Sequence, residues 1–213
     1  MAELNVITCV QSGAGASNTG VGSCTFDPKE IIGALLVPKG LALSNSDVID
    51  LKETLISLAN EDDRSKRIFP IGTFVELEDG STDEQTDEFG YGVSKVTGEG
   101  TYILSFRFTN GGKCLHSKLR AFNGAEDSYD VIFVDRQQAL LGTMVEKDGE
   151  PALGGYALEE LYVPKMTFSD GSTSTGYWIR FTLADVAEVN DRFGFVLPAP
   201  QDVFNVIRTV RGM

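Results

Sequence analysis

His116 is the single histidine of this 213-residue chain, so any imidazole chemistry must be built on it. A Ser-His-Asp arrangement would need it as general base, and a metal centre would have to do without a second imidazole. Leu115, Leu119 and Phe122 recur at helical spacing around it, with Lys113, Lys118 and Arg120 between them. On such a helix Cys114 and His116, two apart, do not share a face, and His116 is expected at the surface. Glu159 and Glu160 are the nearest approach to an acid/base couple, but adjacent strand residues point to opposite faces. Asp127 and Asp130 are expected as turn residues flanking a strand.

Two loops suggest ligands and fail on spacing. Gly13 and Gly15 open a dinucleotide-type GxGxxG, yet Asn18 stands at the third glycine position and no Lys-Ser or Lys-Thr follows. The acidic stretch Glu76–Glu88 invites a calcium-loop reading. An EF-hand register opening at Glu76 would place Gly80 at a ligand position and Ser81 where glycine is required. The expectation is a solvated acidic loop at 76–88, a flexible Gly/Ser loop at 11–23, and no metal, cofactor or catalytic residue. Cys9 and Cys24 flank the Gly/Ser loop, and their pairing stays open.

The elements that carry these residues read as strands and a few short helices. Tyr102, Leu104, Phe106 and Phe108 alternate with Ile103, Ser105 and Arg107, the period of a strand with one aromatic face. Gly124 sits where the following helix should stop. Val131–Val134 is a continuous apolar run, as in a strand buried on both sides. Asp47–Ala59 carries Val48, Leu51 and Leu55 at helical spacing, with Ser46 as expected N-cap. Pro70 pushes the run Ile68–Leu77 toward a sheet edge. Asp148-Gly149 marks a tight hairpin, and Tyr177–Leu183 alternates again. The fold class expected is α+β: a mostly antiparallel β-sandwich or barrel-like sheet with two or three short helices over residues 1–200. Residues 201–213 form a tail whose apolar positions, among them Val203, Phe204 and Ile207, suit an assembly arm.

With 31 acidic and 18 basic residues the net charge is −13, which argues against a nucleic-acid-binding surface. The start, Met1-Ala-Glu-Leu4, lacks the basic and apolar parts of a secretory signal, and no apolar run approaches the roughly 20 residues of a membrane span. A soluble protein made in a cytoplasm is expected.

The order of several segments carries a resemblance. Leu4-Asn-Val-Ile-Thr-Cys9, Phe26-Asp-Pro-Lys29 and Leu35-Leu-Val-Pro-Lys-Gly40 are followed by Tyr91-Gly-Val-Ser-Lys95, Phe106-Arg-Phe-Thr-Asn-Gly111 and Tyr129-Asp-Val-Ile-Phe-Val-Asp135. Up to about Phe195 the chain resembles virion structural proteins of tailed bacteriophages that infect Bacteroidota, including the crAss-like kind. The resemblance implies a non-enzymatic tail-tube or tail-ring subunit in the virion, assembled from copies of itself around the DNA channel and contacting other virion proteins. A tail tube implies hexameric rings. A head-associated virion protein is the nearest variant, and a soluble glycan-binding module using Tyr177 and Trp178 is a reading of a different class. For assembly, the residues expected at the contact are Lys113, Lys118 and Arg120 on one side and Glu78, Asp79, Asp83 and Glu84 on the other. Val203, Phe204 and Ile207 of the tail join them.

Overall fold

The structure is a computed structural model and describes residues 3–5, 30–82, 85–88, 94–98, 100–108, 112–166, 176–190 and 192–197. The first half runs β1 (Glu3–Asn5), β2 (Ile31–Pro38), β3 (Ala42–Leu43), α1 (Asn45–Ile49), α2 (Leu51–Ala59), a 3-10 turn (Arg64–Lys66), β4 (Phe69–Gly72) and β5 (Phe74–Asp79). The middle adds β6 (Gln85–Glu88), β7 (Ser94–Gly98), β8 (Ile103–Phe108), α3 (Gly112–Leu119), a second 3-10 turn (Arg120–Phe122), β9 (Tyr129–Asp135) and β10 (Leu140–Lys147). The rest is β11 (Glu150–Gly154), β12 (Tyr156–Tyr162), β13 (Tyr177–Leu183), α4 (Val186–Asn190) and β14 (Phe193–Leu197). The fold is α+β, a mostly antiparallel sheet curled into a half-barrel and accompanied by short helices.

The main path of the sheet is β1-β14-β10-β9-β12-β13-β8-β5, with β2 and β4 added beside β9, and β11 and β3 beside β10. It folds back on itself through β12. Tyr156 and Ala157 pair with β9, whereas Leu158–Tyr162 pair with β13 across a register shift between Leu158 and Glu160. A bulge bends its strand and adds twist, so one strand serves both halves of the curled sheet. The turn into β12 needs Gly155, because a Cβ there would lie 2.8 Å from Asp130 Cβ and 3.1 Å from the Val131 amide nitrogen.

This folding makes two apolar layers with β9 between them. On one side Val131 and Phe133 meet Ala34, Leu36, Phe106 and Phe181. Phe133 lies 5.8 Å from Phe106 and 5.7 Å from Phe181, ring centre to ring centre. On the other side Ile132 and Val134 meet Leu35, Val37 and the helical residues Val48, Leu51 and Leu55. Each such side chain contributes roughly 1.5–3 kcal/mol on full burial. The doubly buried strand expected at Val131–Val134 is therefore β9, and the aromatic face expected before Asn110 is β8, with Phe106 and Phe108 fully buried.

Three local expectations hold and two change. Gly124 ends the helical segment at φ +76°. The Asp148-Gly149 hairpin joins β10 to β11, both residues having positive φ (57° and 83°), as the tightest hairpin turn requires. Pro70 lies on β4, which pairs with β2 alone among the described strands. The expected single helix Asp47–Ala59 is instead two, broken at Asp50 (φ −106°, ψ 38°), and its cap is Ser44, not Ser46. The reason is reciprocal capping. The Ser44 hydroxyl accepts from the Asp47 amide while the Asp47 carboxylate accepts from the Ser44 amide at 2.8 Å. Counted from Ser46, the returning position would be Ile49, which has no acceptor. Likewise the expected strand Ile68–Leu77 divides into β4 and β5, because its first part pairs with β2 and its second with β8.

Candidate functional site

Cations gather in one groove of about 640 Å³, lined by Arg64, Arg67 and Lys118 with no carboxylate among its lining residues. Local structure sets it up. Asp63 Oδ1 accepts from the Ser65 amide (3.0 Å) and hydroxyl (2.7 Å), which fixes the 3-10 turn carrying Arg64. Arg67 Nε donates to the Glu61 carbonyl at 2.5 Å, holding that side chain against the segment that follows α2. The Arg64 guanidinium lies over Phe122 (5.3 Å) and Phe69 (5.9 Å), and these two rings meet edge to face at 4.9 Å. From α3, Leu119 turns into the aromatic layer while Lys118 stays exposed. Arg120, one residue past the helix, is exposed as well. Lys113 belongs to the first turn of α3. Guanidinium groups cannot shed their charge, so a groove of this kind favours an anionic occupant.

The acidic stretch is not the loop expected at 76–88. Glu76, Glu78 and Asp79 are on β5, and Gln85–Glu88 is strand β6, paired with β7. Alternating Val75, Leu77 and acids explain the change: period two favours a strand once β8 supplies a partner. β5 closes one edge of the sheet path, pairing with β8 alone among the described strands. Only Phe74 is buried; Val75 and Leu77 are each 45% exposed. Arg107 pairs with Glu76 of its own chain at 2.5 Å. Asp83, Glu84 and the tail residues Val203, Phe204 and Ile207 lie outside the described residues, as do the 11–23 loop, Cys9 and Cys24.

The other singled-out polar residues have structural partners. His116 is buried, not at the surface as expected. Its Nε2 is 2.8 Å from the Pro164 carbonyl, and its ring packs 5.3 Å from Tyr177. The helix turns Leu119 inward, and the neighbouring position follows it beneath the segment after β12. Tyr177 stacks on Phe108 at 5.8 Å, so it faces the aromatic layer. Glu160 pairs with Arg180 at 2.8 Å, across strands β12 and β13. Among the described residues no group of three or more His, Cys, Asp or Glu converges as a metal site.

Asp130 departs from its expected turn: it is a β9 residue, buried, with Oδ2 accepting from the Gly40 amide at 2.9 Å and Oδ1 unpaired. Burial pushes its carboxyl above the ordinary range, more than the Gly40 bond and Lys39 lower it. Glu188, from α4, lines the same cleft of about 560 Å³. Burial raises it too, against the bond its Oε2 accepts from the Ala157 amide at 2.7 Å, and Asp130 adds to the rise. Tyr156 is driven upward by burial and by Glu188. None of this was legible in sequence, because the groups come from β9, α4 and β12.

Sequence reasoning also missed Arg64 and Arg67. The available signal was the run Arg64-Ser-Lys-Arg67 followed at once by Ile68 and Phe69. Among the described residues no helix is long and apolar enough to cross a membrane. No family model, curated protein or solved structure matches the chain.

Proposed function

We propose that this chain is a self-assembling, non-catalytic structural subunit of a tailed-phage virion, a tail-tube or tail-ring protein in the first instance and a head-associated protein in the nearest variant. The observation that carries self-assembly is the edge strand β5. It leaves Val75 and Leu77 half exposed beside Glu78 and Asp79, at the end of the sheet path. Edges of this kind pair with other chains unless something covers them. The virion assignment rests on the resemblance of the segments quoted above. The net charge of −13 agrees with it, since an acidic channel wall repels DNA phosphates and lets the genome pass.

Negative-stain imaging and light scattering of purified full-length protein test the reading. Rings or short tubes are expected. A monodisperse monomer at high concentration would overturn it.

A further inference from the structure

We propose that the groove carrying Arg64, Arg67 and Lys118 is the seat for strand β5 of a second copy of this chain. The inference deepens the self-assembly reading and rests on it. Three observations lead to it. First, charge: in a chain with 31 acidic and 18 basic residues, the groove gathers three cations with no lining carboxylate. The acidic partner it calls for is present on the same molecule, as exposed Glu78 and Asp79.

Second, the apolar parts match. The groove floor is Phe69, Pro70 and Leu115, and β5 offers Val75 and Leu77, each 45% exposed. A volume of about 640 Å³ holds a few side chains and not a whole strand, so Leu77 with its two acidic neighbours is the fitting anchor. Glu76 is already engaged by Arg107 and plays no part.

Third, the β5 of the same chain cannot fill it. β5 is locked in register against β8 from Glu76↔Arg107 to Asp79↔Leu104, and none of its residues lines the groove. The occupant is therefore the β5 of another molecule. Groove and edge are different patches, so the contact is heterologous. It propagates head to tail and closes into a ring where the rotation permits.

Charge reversal on each side provides the test. One variant carries Arg67→Glu and Lys118→Glu in the groove; the other carries Glu78→Lys and Asp79→Lys on the edge. Each alone should weaken self-association by at least about tenfold, read by analytical ultracentrifugation, with the circular dichroism spectrum and Tm of the wild type. Mixed one to one, they offer two charge-matched contacts: the acidic edge of the first with the basic groove of the second, and the lysine edge of the second with the glutamate groove of the first. The mixture should therefore regain association, with the two variants alternating. Wild-type association should also weaken steeply between about 0.05 and about 0.5 M salt. Should Arg67→Glu impair folding, Lys118→Glu alone is expected to act in the same direction, since its side chain is exposed. Wild-type assembly with both variants associating normally would overturn the seat and leave self-assembly standing. A wild type that stays monomeric would overturn both.

Discussion

Strands β9 and β5 differ more in surroundings than in composition. β9 reads Tyr-Asp-Val-Ile-Phe-Val-Asp and every residue is buried; β5 reads Phe-Val-Glu-Leu-Glu-Asp and only Phe74 is. β9 has β2 along one side and β10 and β12 on the other, with an apolar layer above and below. β5 has β8 and an open side among the described residues. The same aliphatic residue types therefore act differently. On β9 they hold two layers together, and on β5 they are available to another molecule. The acids beside them guard against indiscriminate edge pairing while leaving room for a charge-matched partner.

The contrast is open to experiment, beginning with the largest expected effect. Phe133→Ala removes a ring that touches Phe106, Phe181 and Tyr156, and should cost about 3–5 kcal/mol in chemical denaturation. A loss below about 1 kcal/mol would mean that β9 is not the centre of the molecule. Gly155→Ala should cost about 1–3 kcal/mol, because the new methyl meets Asp130 and the β9 backbone at 2.8 and 3.1 Å. Wild-type stability at this position would show that β12 does not press on β9.

A smaller effect concerns pH. The Asp130 carboxyl is held above its ordinary value of 3.8, so the folded state retains a proton that the unfolded chain releases. The stability it contributes is whole below that ordinary value and is lost as pH rises through the folded value. Asp130→Asn abolishes this loss, so its stability relative to wild type should climb as pH rises across that window, while the fall that Glu188 contributes is common to both proteins. Denaturation series at several pH values measure it, and a variant whose stability falls relative to wild type as pH rises would refute the assignment. Smallest of all, Leu77→Ser on the exposed edge should change monomer stability by no more than about 0.5 kcal/mol. A loss as large as that of Phe133→Ala would erase the distinction between the two strands.

Much of the architecture was legible because it is local. The alternation of Tyr102–Phe108 and Tyr177–Leu183, the apolar run Val131–Val134 and the Asp148-Gly149 turn each state their geometry within a few residues. The helix boundary at Ser44 was missed because a capping box depends on a residue three positions on, and Ser46 looked equally good alone. Lys118 and Arg120 could be named as surface cations from helical phase, but Arg64 and Arg67 could not be joined to them. They come from a different segment and share with Lys118 only the lining of one groove.

By itself, then, the sequence determined the strand-rich class, the acidic character and the identity of the two-faced strand β9, all consequences of period and composition. Tertiary structure alone decided which apolar residues stay exposed. It turned a supposed acidic loop into an edge strand, buried His116 beside Pro164 and Tyr177, and gave Asp130 its unpaired oxygen. The physical reason is common to all three. Whether a side chain is covered depends on which distant segment lies against it, and here those segments lie from 25 residues (Asp79 and Leu104) to 90 residues (Gly40 and Asp130) apart in the chain.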